Sequence, residues 1–281
     1  MRSAWRSAVE LLPEGLRRAA EALPEELRDA AEELRLRRGQ APTALCLGRE
    51  RPLRGAPLTG PELREVLDRA ARGSYHAVLD QLRRGFLSAP FGVRLGVCGP
   101  DGDPEAVNAL CLRIPRQVPE AGREVMGTLG EGSVLILSPP GGGKTTFLRE
   151  LVRRSSEAGR RVGLADERGE VAAVFQGEPQ FELGPCTDVL SLLPKAEAAT
   201  RLLRAMNEEI VALDEISDPA DLAAVERLSG SGVRVFATVH AASVEALRTM
   251  PRFAPILRER VFQTAVVISP GPPRRYRAEA L

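Results

Sequence analysis

The sequence is poor in aromatic residues and carries almost no excess of charge of either sign. Aromatic side chains make up 4% of its 281 residues, and 39 basic residues balance 38 acidic ones, which leaves a net charge of +1. Binding nucleic acid through bulk charge requires a basic surplus, and binding single strands by base stacking requires aromatic platforms. The composition therefore predicts a protein without a nucleic-acid partner.

Long apolar runs and paired cysteines are also missing. A membrane-spanning helix needs about 20 consecutive apolar residues, and the sequence contains no such run. Arg2, Arg6 and Glu10 interrupt the first turns, which argues against a signal peptide. None of the cysteines belongs to a CxxC pair, so we expect reduced thiols in a cytoplasmic protein. The cysteines are Cys46, Cys98, Cys111 and Cys186.

Lysine is nearly absent, because 37 of the 39 basic residues are arginine. The ammonium group of lysine is compact, whereas the guanidinium of arginine is planar and wide. We therefore expect Lys144 and Lys195 to occupy positions that a guanidinium would not fit. Lys195 begins a predicted helix, where two interpretations stay open: a solvated first turn, and a role linked to a nucleotide or a subunit interface.

Residues 1–122 predict a small α+β domain. The segment LPEGLRRAAEA, which starts at Leu12, is echoed by LPEELRDAAEE from Leu23. Apolar residues at spacings of 3 and 4 continue to Leu34, which predicts two short amphipathic helices. A helix lying on a membrane surface is the alternative, but acidic residues on the polar face disfavour it. The further predicted elements are a strand near 45–47, a turn region over 51–61, helices near 61–71 and 75–84, a hairpin over 86–97 and a strand over 111–114.

From Val125 onward, short apolar runs alternate with helical stretches. This alternation is typical of an α/β layer with a mainly parallel sheet. We assign residues 123–270 to this domain and expect residues 271–281 to form a flexible tail. The predicted strands are 134–137, 162–165, 210–213, 233–239 and 265–268, and the predicted helices are 144–157, 195–207, 219–228 and 243–249.

The strongest functional signal is the segment SPPGGGKTT, which lies between a predicted strand and a predicted helix. It matches the phosphate-binding pattern G-x-x-x-x-G-K-[ST], the Walker A motif, except that Ser138 replaces the first glycine. Consecutive glycines let backbone N–H groups turn toward a phosphate, and the lysine reaches the outer phosphates. We predict that this loop binds ATP and that Lys144 also acts in catalysis. The loop residues are Ser138, Pro139, Pro140, Gly141, Gly142, Gly143, Lys144, Thr145 and Thr146.

A second motif follows in the segment IVALDEIS, where an apolar strand ends in Asp214 and Glu215. An acidic pair at this place is typical of a Walker B motif. The Asp214 carboxylate and the Thr145 hydroxyl are predicted to hold Mg²⁺, and Glu215 is predicted to orient or deprotonate the attacking water. Without the Walker A loop, a solvated turn would be the simpler interpretation.

Two further strand ends are expected at the same edge of the sheet, because ligands bind at the carboxyl ends of parallel strands. The segment VGLADERGE brings Glu167 there, and the segment VRVFATVH brings His240 there. Both are candidate catalytic residues. A buried histidine with a purely structural role is the alternative for His240.

The series of motifs resembles the stage III sporulation protein AA family. The segments that carry the resemblance are, in order, EELRLRRGQAP, LRRGFLSAPFGVRLGVCG, LRIPR, SPPGGGKTT, VGLADERGE, GPCTDVL, PKAE, IVALDEI and ATVH. The resemblance implies a RecA-like P-loop ATPase domain of the AAA type behind a small N-terminal domain, similar to the motor ATPases of type II and type IV secretion. It also implies a hexameric ring at the mother-cell face of a membrane channel, with the channel proteins of the sporulation complex as partners.

Residues and resemblance together predict an α/β enzyme that hydrolyses ATP with Mg²⁺ at the periphery of a membrane complex. Two alternatives stay open: a nucleotide-dependent structural ring with little turnover, and a P-loop NTPase linked to nucleic acid. In motor ATPases an arginine from a neighbouring subunit often completes the site. The candidates for this role are Arg94, Arg113, Arg168, Arg201 and Arg204.

Overall fold

The computed structural model describes residues 4–99, 106–269, 271 and 273–281. The chain divides into two compact units. The first comprises Met1–Arg116 and Ala173–Gln180, and the second comprises Gln117–Ala172 and Phe181–Leu281. The expected domain boundary between residues 122 and 123 stays a prediction.

The first unit contains a six-stranded antiparallel sheet. Its strand order is β3-β2-β1-β6-β5-β4, and every neighbouring pair runs antiparallel. The β4–β5 pair confirms the predicted hairpin. The strands are β1 (Ala31–Arg37), β2 (Thr43–Cys46), β3 (Arg49–Pro52), β4 (Phe86–Ser88), β5 (Arg94–Cys98) and β6 (Ala109–Arg113).

Helices cover one face of this sheet because their apolar stripes need a surface to bury. Leu12, Leu63 and Leu67 are fully buried and belong to the same hydrophobic cluster as the strand residues Leu34 and Leu95. The helices are α1 (Ala4–Glu10), α2 (Glu14–Glu21), α3 (Glu25–Asp29), α4 (Gly60–Ala71) and α5 (Tyr75–Arg83).

The second predicted helix of the amino-terminal repeat is shorter than expected. It ends at Asp29, and Leu34 lies in strand β1 instead. The reason is that Leu34 and Leu36 alternate with more exposed residues, which is the period of a strand with one buried face. The predicted turn region after Arg51 likewise begins within strand β3, which pairs with β2.

The second unit is built on a seven-stranded sheet with the order β13-β12-β7-β11-β10-β8-β9. All neighbouring strands are parallel except the β12–β13 pair. This arrangement confirms the predicted α/β unit with a mainly parallel sheet. The strands are β7 (Val134–Leu137), β8 (Val162–Asp166), β9 (Thr187–Ser191), β10 (Ile210–Leu213), β11 (Arg234–Val239), β12 (Thr264–Ser269) and β13 (Arg275–Ala280).

Three inner strands of this sheet are buried along their whole length. Every residue of β7, β8 and β10 is buried, which is why these strands appear in the sequence as continuous apolar runs. The helices are α6 (Arg123–Met126), α7 (Lys144–Glu157), α8 (Lys195–Ala205), α9 (Pro219–Gly230), α10 (Val244–Arg248) and α11 (Ala254–Arg258). No helix among the described residues is long and apolar enough to cross a membrane.

Two outer strands of this sheet differ from the sequence prediction. The expected flexible tail is wrong, because Arg275–Ala280 forms strand β13, which pairs residue by residue with β12. Strand β9 was not predicted either. Both strands lie at sheet edges, where half-exposed polar residues mask the apolar run that marks a central strand.

Candidate nucleotide-binding site

The glycine-rich loop connects the end of β7 to the start of α7. Gly141 (φ +72°) and Gly143 (φ +99°) adopt left-handed backbone conformations, which side chains with a Cβ rarely adopt. A Cβ on Gly142 would overlap the hydroxyl oxygen of Ser138. Ser138 itself is fully buried, and its Oγ has no hydrogen-bond partner among the described residues. The three glycines therefore lack a side chain for two geometric reasons, backbone conformation at Gly141 and Gly143 and a neighbouring hydroxyl at Gly142.

Lys144 is the first residue of α7, and its ammonium group folds back over the loop. Its Nζ donates to the carbonyl oxygens of Ser138 (3.0 Å) and Pro139 (3.2 Å), and it lies 2.8 Å from Nδ1 of His240. The residue is only 6% exposed. Burial lowers the pKa of Lys144, whereas the nearby Asp214 and Glu215 carboxylates oppose that shift.

Thr145 and Asp214 meet between the loop and the end of β10. The Thr145 hydroxyl donates to one Asp214 carboxylate oxygen over 2.9 Å, and the Thr238 hydroxyl donates to the other over 2.7 Å. Hydroxyl and carboxylate oxygens are the ligands that Mg²⁺ prefers in proteins. Thr145 and Asp214 thus fit a magnesium ion beside the loop, as expected of their positions in the two motifs.

Glu215 follows Asp214 in a left-handed backbone conformation (φ +57°), which costs a non-glycine residue about 1–2 kcal/mol. Its N–H donates to Thr238 Oγ1 over 2.7 Å, which compensates part of that strain. The two carboxylate oxygens lie 2.9 Å from Arg168 and 3.2 Å from Nε2 of His240. The strained turn therefore directs the Glu215 carboxylate toward a cation and an imidazole.

His240 bridges Lys144 and Glu215. An ammonium group can only donate hydrogen bonds, so Nδ1 of His240 is the acceptor and Nε2 carries the ring proton. That proton faces Glu215 Oε1. With its side chain 37% exposed, His240 is not the buried structural histidine of the alternative interpretation. Lys144, His240, Glu215 and Arg168 form one connected polar chain across the carboxyl edge of the sheet.

Glu167 belongs to a different cluster. Its carboxylate lies 2.7 Å from the ammonium group of Lys195, which also lies 3.4 Å from Asp221. Lys195 is 8% exposed, so the solvated first turn is wrong. Burial alone would lower the pKa of Lys195, but the Glu167 and Asp221 carboxylates outweigh it and raise that pKa. Asp221 accepts hydrogen bonds from the backbone of Ser217 and Asp218, so this cluster supports the loop after β10.

The remaining polar residue at the end of β8 has a structural role. Asp166 is buried, and its carboxylate accepts hydrogen bonds from the backbone N–H groups of Glu170, Val171 and Ala172. Burial raises the pKa of Asp166, although these hydrogen bonds oppose the shift. Arg149 of α7 donates to the carbonyl of Val171 (2.6 Å), so the segment after β8 is anchored to the helix that follows the loop.

One residue near the loop was missed by the sequence prediction. Arg274, just before β13, lies against Gly143, with its Nε 2.9 Å from the point where a Cβ on that glycine would be. Arg274 was missed because the sequence analysis assigned residues 271–281 to a flexible tail. The alternation of charged and apolar residues in RYRAEA is the signal that could have indicated a strand.

Solved structures with similar folds include a pilus retraction motor and an ATPase. The crystal structure of the pilus retraction motor PilT with bound ADP is 18% identical in sequence, covers 95% of this chain and 82% of its own, and gives a TM-score of 0.64. The ATPase DotB of Yersinia pseudotuberculosis is 15% identical, with coverages of 95% and 78% and a TM-score of 0.62. At this level of identity the similarity concerns the fold, and it confirms the predicted RecA-like α/β class.

Sequence comparison identifies the family. The family described as sporulation stage III, protein AA, matches residues 6–275. The stage III sporulation protein AA of Bacillus subtilis (strain 168) is 30% identical over 275 residues, which cover 92% of this chain and 89% of that protein. The resemblance inferred from the motifs is thereby confirmed, and the chain belongs to the stage III sporulation protein AA family.

Proposed function

We propose that this protein binds ATP together with Mg²⁺ and hydrolyses it. The observation that carries the proposal is the convergence of Lys144, Thr145, Asp214 and Glu215 at the carboxyl ends of β7 and β10. These residues come from two motifs far apart in sequence, and each has the chemistry that phosphoryl transfer requires. The DotB and PilT structures, an ATPase and a motor with bound ADP, support the same activity.

Lys144 changes partners when the substrate binds. Its ammonium group now donates to two loop carbonyls and to His240. The β- and γ-phosphates of ATP offer charged oxygens, which are stronger acceptors than neutral carbonyls or imidazole. Binding therefore releases His240 from Lys144. Thr145 and Asp214 would hold the magnesium ion, which neutralises charge on the phosphates when bound.

Glu215 is the proposed base for the attacking water. Its carboxylate is engaged by Arg168 and His240. Once Lys144 releases His240, the imidazole can move away from Glu215. One carboxylate oxygen of Glu215 then becomes available to accept a proton from water. Glu167 pairs with Lys195 instead. We therefore propose that Glu167 has a structural role beside the site and that Glu215 is the residue that accepts the proton.

The biological role that we propose is that of a peripheral, cytoplasmic ATPase ring, a hexamer by resemblance, at the membrane channel of the sporulation complex. Family membership and the PilT and DotB folds support it. The candidates for completing a neighbouring subunit's site are Arg94, Arg113, Arg168, Arg201 and Arg204; Arg168 and Arg201 pair with Glu215 and Glu197 of their own chain.

A ring that uses ATP binding with little turnover is the second candidate. The observation in its favour is that both oxygens of Glu215 have cationic or N–H partners, which lowers their availability to accept a proton from water. The two candidates share the nucleotide site and differ in whether hydrolysis follows binding.

Nucleotide affinity and phosphate release, measured on the same variants, test the proposal. Lys144→Ala is expected to lose ATP binding. Lys144→Arg is also expected to lose it, because a planar guanidinium does not fit the space of the ammonium group. Glu215→Gln should bind ATP like the wild type and release phosphate at least 100-fold more slowly, on the scale of general-base catalysis.

Glu259→Gln is the matched control, because Glu259 is an exposed residue at the end of α11. It should leave both measurements unchanged. Wild-type binding by Lys144→Ala would contradict the site, and slow wild-type turnover that Glu215→Gln does not reduce would favour the ring that only binds ATP.

A further inference from the structure

Arg274 is a cation at a place where cations are electrostatically unfavourable. Its guanidinium lies over Gly143, the residue that caps the amino-terminal end of α7. The amino-terminal end of a helix carries a partial positive charge of roughly half a unit. Lys144, the next residue, adds a full positive charge. Arg274, the helix terminus and Lys144 therefore place positive charge at neighbouring positions.

No carboxylate neutralises Arg274 within the part of the chain that the structure describes. Its side chain is exposed, and neither an ion pair nor a hydrogen bond holds it among residues 4–99, 106–269, 271 and 273–281. By contrast, Arg277 on strand β13 lies 2.6 Å from Glu279. Arg274 thus has unused donors close to Gly143 of the loop that is proposed to bind phosphate.

The position of Arg274 is imposed by strand β13. The ring of Tyr276, two residues further along the chain, packs on Phe147 of α7 with 5.4 Å between ring centroids. Phe147 is completely buried. The strand is also hydrogen-bonded along its length to β12. These contacts hold the residue before the strand beside the first turn of α7.

We infer that Arg274 binds the polyphosphate of the nucleotide in the same chain. The inference rests on the proposed function and adds to the site a residue outside both motifs. A bound polyphosphate would lie between the guanidinium and the positive helix terminus, and it would turn mutual repulsion into two attractive interactions. The guanidinium of Arg274 occupies the space that a side chain at residue 143 would need. The glycine in the loop is therefore what allows Arg274 to lie so close to it.

Binding of two probes, Mg·ADP and inorganic pyrophosphate, tests this role in the full chain. Arg274→Ala should weaken the affinity for both by roughly ten-fold, the effect of losing one charge-assisted hydrogen bond. Arg274→Lys should recover part of the loss, because it retains the charge without the planar fork. Arg277→Ala removes the same charge from the strand that follows Arg274 and should change neither affinity by more than about two-fold.

Each outcome decides between specific roles. Equal affinities for wild type and Arg274→Ala would overturn the inference while leaving the proposed function intact. Weaker ADP binding with unchanged pyrophosphate binding would place the guanidinium on the nucleoside and also overturn it. If the wild type bound neither probe, the proposed function and the inference would fall together. Thermal melts of the apo variants show whether Arg274→Ala is folded, and Arg274→Gln replaces it in the assay if it is not.

Discussion

At the scale of single residues, the site depends on small side chains as much as on charged ones. The hydroxyl oxygen of Ser138 occupies the volume that a Cβ on Gly142 would need. Gly142 therefore lacks a side chain because of a neighbour, whereas Gly141 and Gly143 lack one because of their backbone conformations. Because only Gly142 is constrained by Ser138, mutation can test the effect of having serine in place of the first Walker A glycine.

The pair Ser138 and Gly142 should show strong coupling. Gly142→Ala alone is expected to distort the loop and to weaken nucleotide binding, because its methyl group overlaps Ser138 Oγ. Adding Ser138→Gly removes that oxygen and should restore most of the affinity. A double-mutant cycle in nucleotide binding measures the coupling. Gly143→Ala serves as the control, since its left-handed backbone (φ +99°) should prevent any rescue by Ser138→Gly.

Glu208 makes stability depend on pH. Burial raises the pKa of its carboxyl group to about 7, with a further contribution from Asp188. The folded state therefore keeps a proton that the unfolded state has lost above about pH 4.5, so stability falls as pH rises from 5 to 8. Glu208→Gln, which resembles the protonated form, should be more stable than the wild type at pH 8 by about 1–3 kcal/mol.

Denaturant titrations at pH 5 and pH 8 measure this dependence. Glu209→Gln is the matched control: contacts with Arg161 and Arg160 lower the pKa of Glu209, so its charge does not change between these pH values. A wild type that is equally stable at both pH values would contradict the role of Glu208.

At the scale of elements, strand β13 forms one edge of the seven-stranded sheet and packs against α7. The ring of Tyr276 contacts Phe147, and Gly122 (φ +68°) leaves space for both rings. Aromatic pairs of this kind add about 0.5–1.5 kcal/mol to the effect of buried area. The carboxyl-terminal strand is consequently an integral element of the sheet.

Tyr276→Ala is expected to loosen β13 and to lower stability by roughly 2–4 kcal/mol, since it removes a half-buried ring from a packed site. Tyr276→Phe retains the ring and should remain close to the wild type. Amide hydrogen exchange reports the change locally, with faster exchange in β12 and β13 than in β10. Uniform exchange across the sheet in Tyr276→Ala would argue that the ring has no local role.

At the scale of the whole molecule, we expect assembly of the proposed ring to depend on whether ATP is bound. A subunit that holds ATP without hydrolysing it should remain in the assembled form. Glu215→Gln is therefore expected to form a larger species with Mg·ATP than without it, while Lys144→Ala should have the same mass in both conditions. Sedimentation velocity or mass photometry measures the masses. ATP-independent masses for Glu215→Gln would contradict coupling between the site and assembly.

Much of the second unit could be predicted from sequence because its signals are local. Buried parallel strands leave continuous apolar runs, and the phosphate-binding loop must follow a strand and open a helix. Lys144, Thr145, Asp214 and Glu215 belong to such motifs. The expected helices between the strands were confirmed for the same reason, since their apolar periodicity repeats within a single element.

The sequence by itself determined the family, the α/β class and the residues of the two motifs. Only the tertiary structure decided the edge strands β9 and β13, the pairing of Glu167 with Lys195, and the position of Arg274 over Gly143. These features depend on contacts between residues distant in the chain. An edge strand or a paired charge gives at most a short local signal, because the neighbour that stabilises it comes from another element.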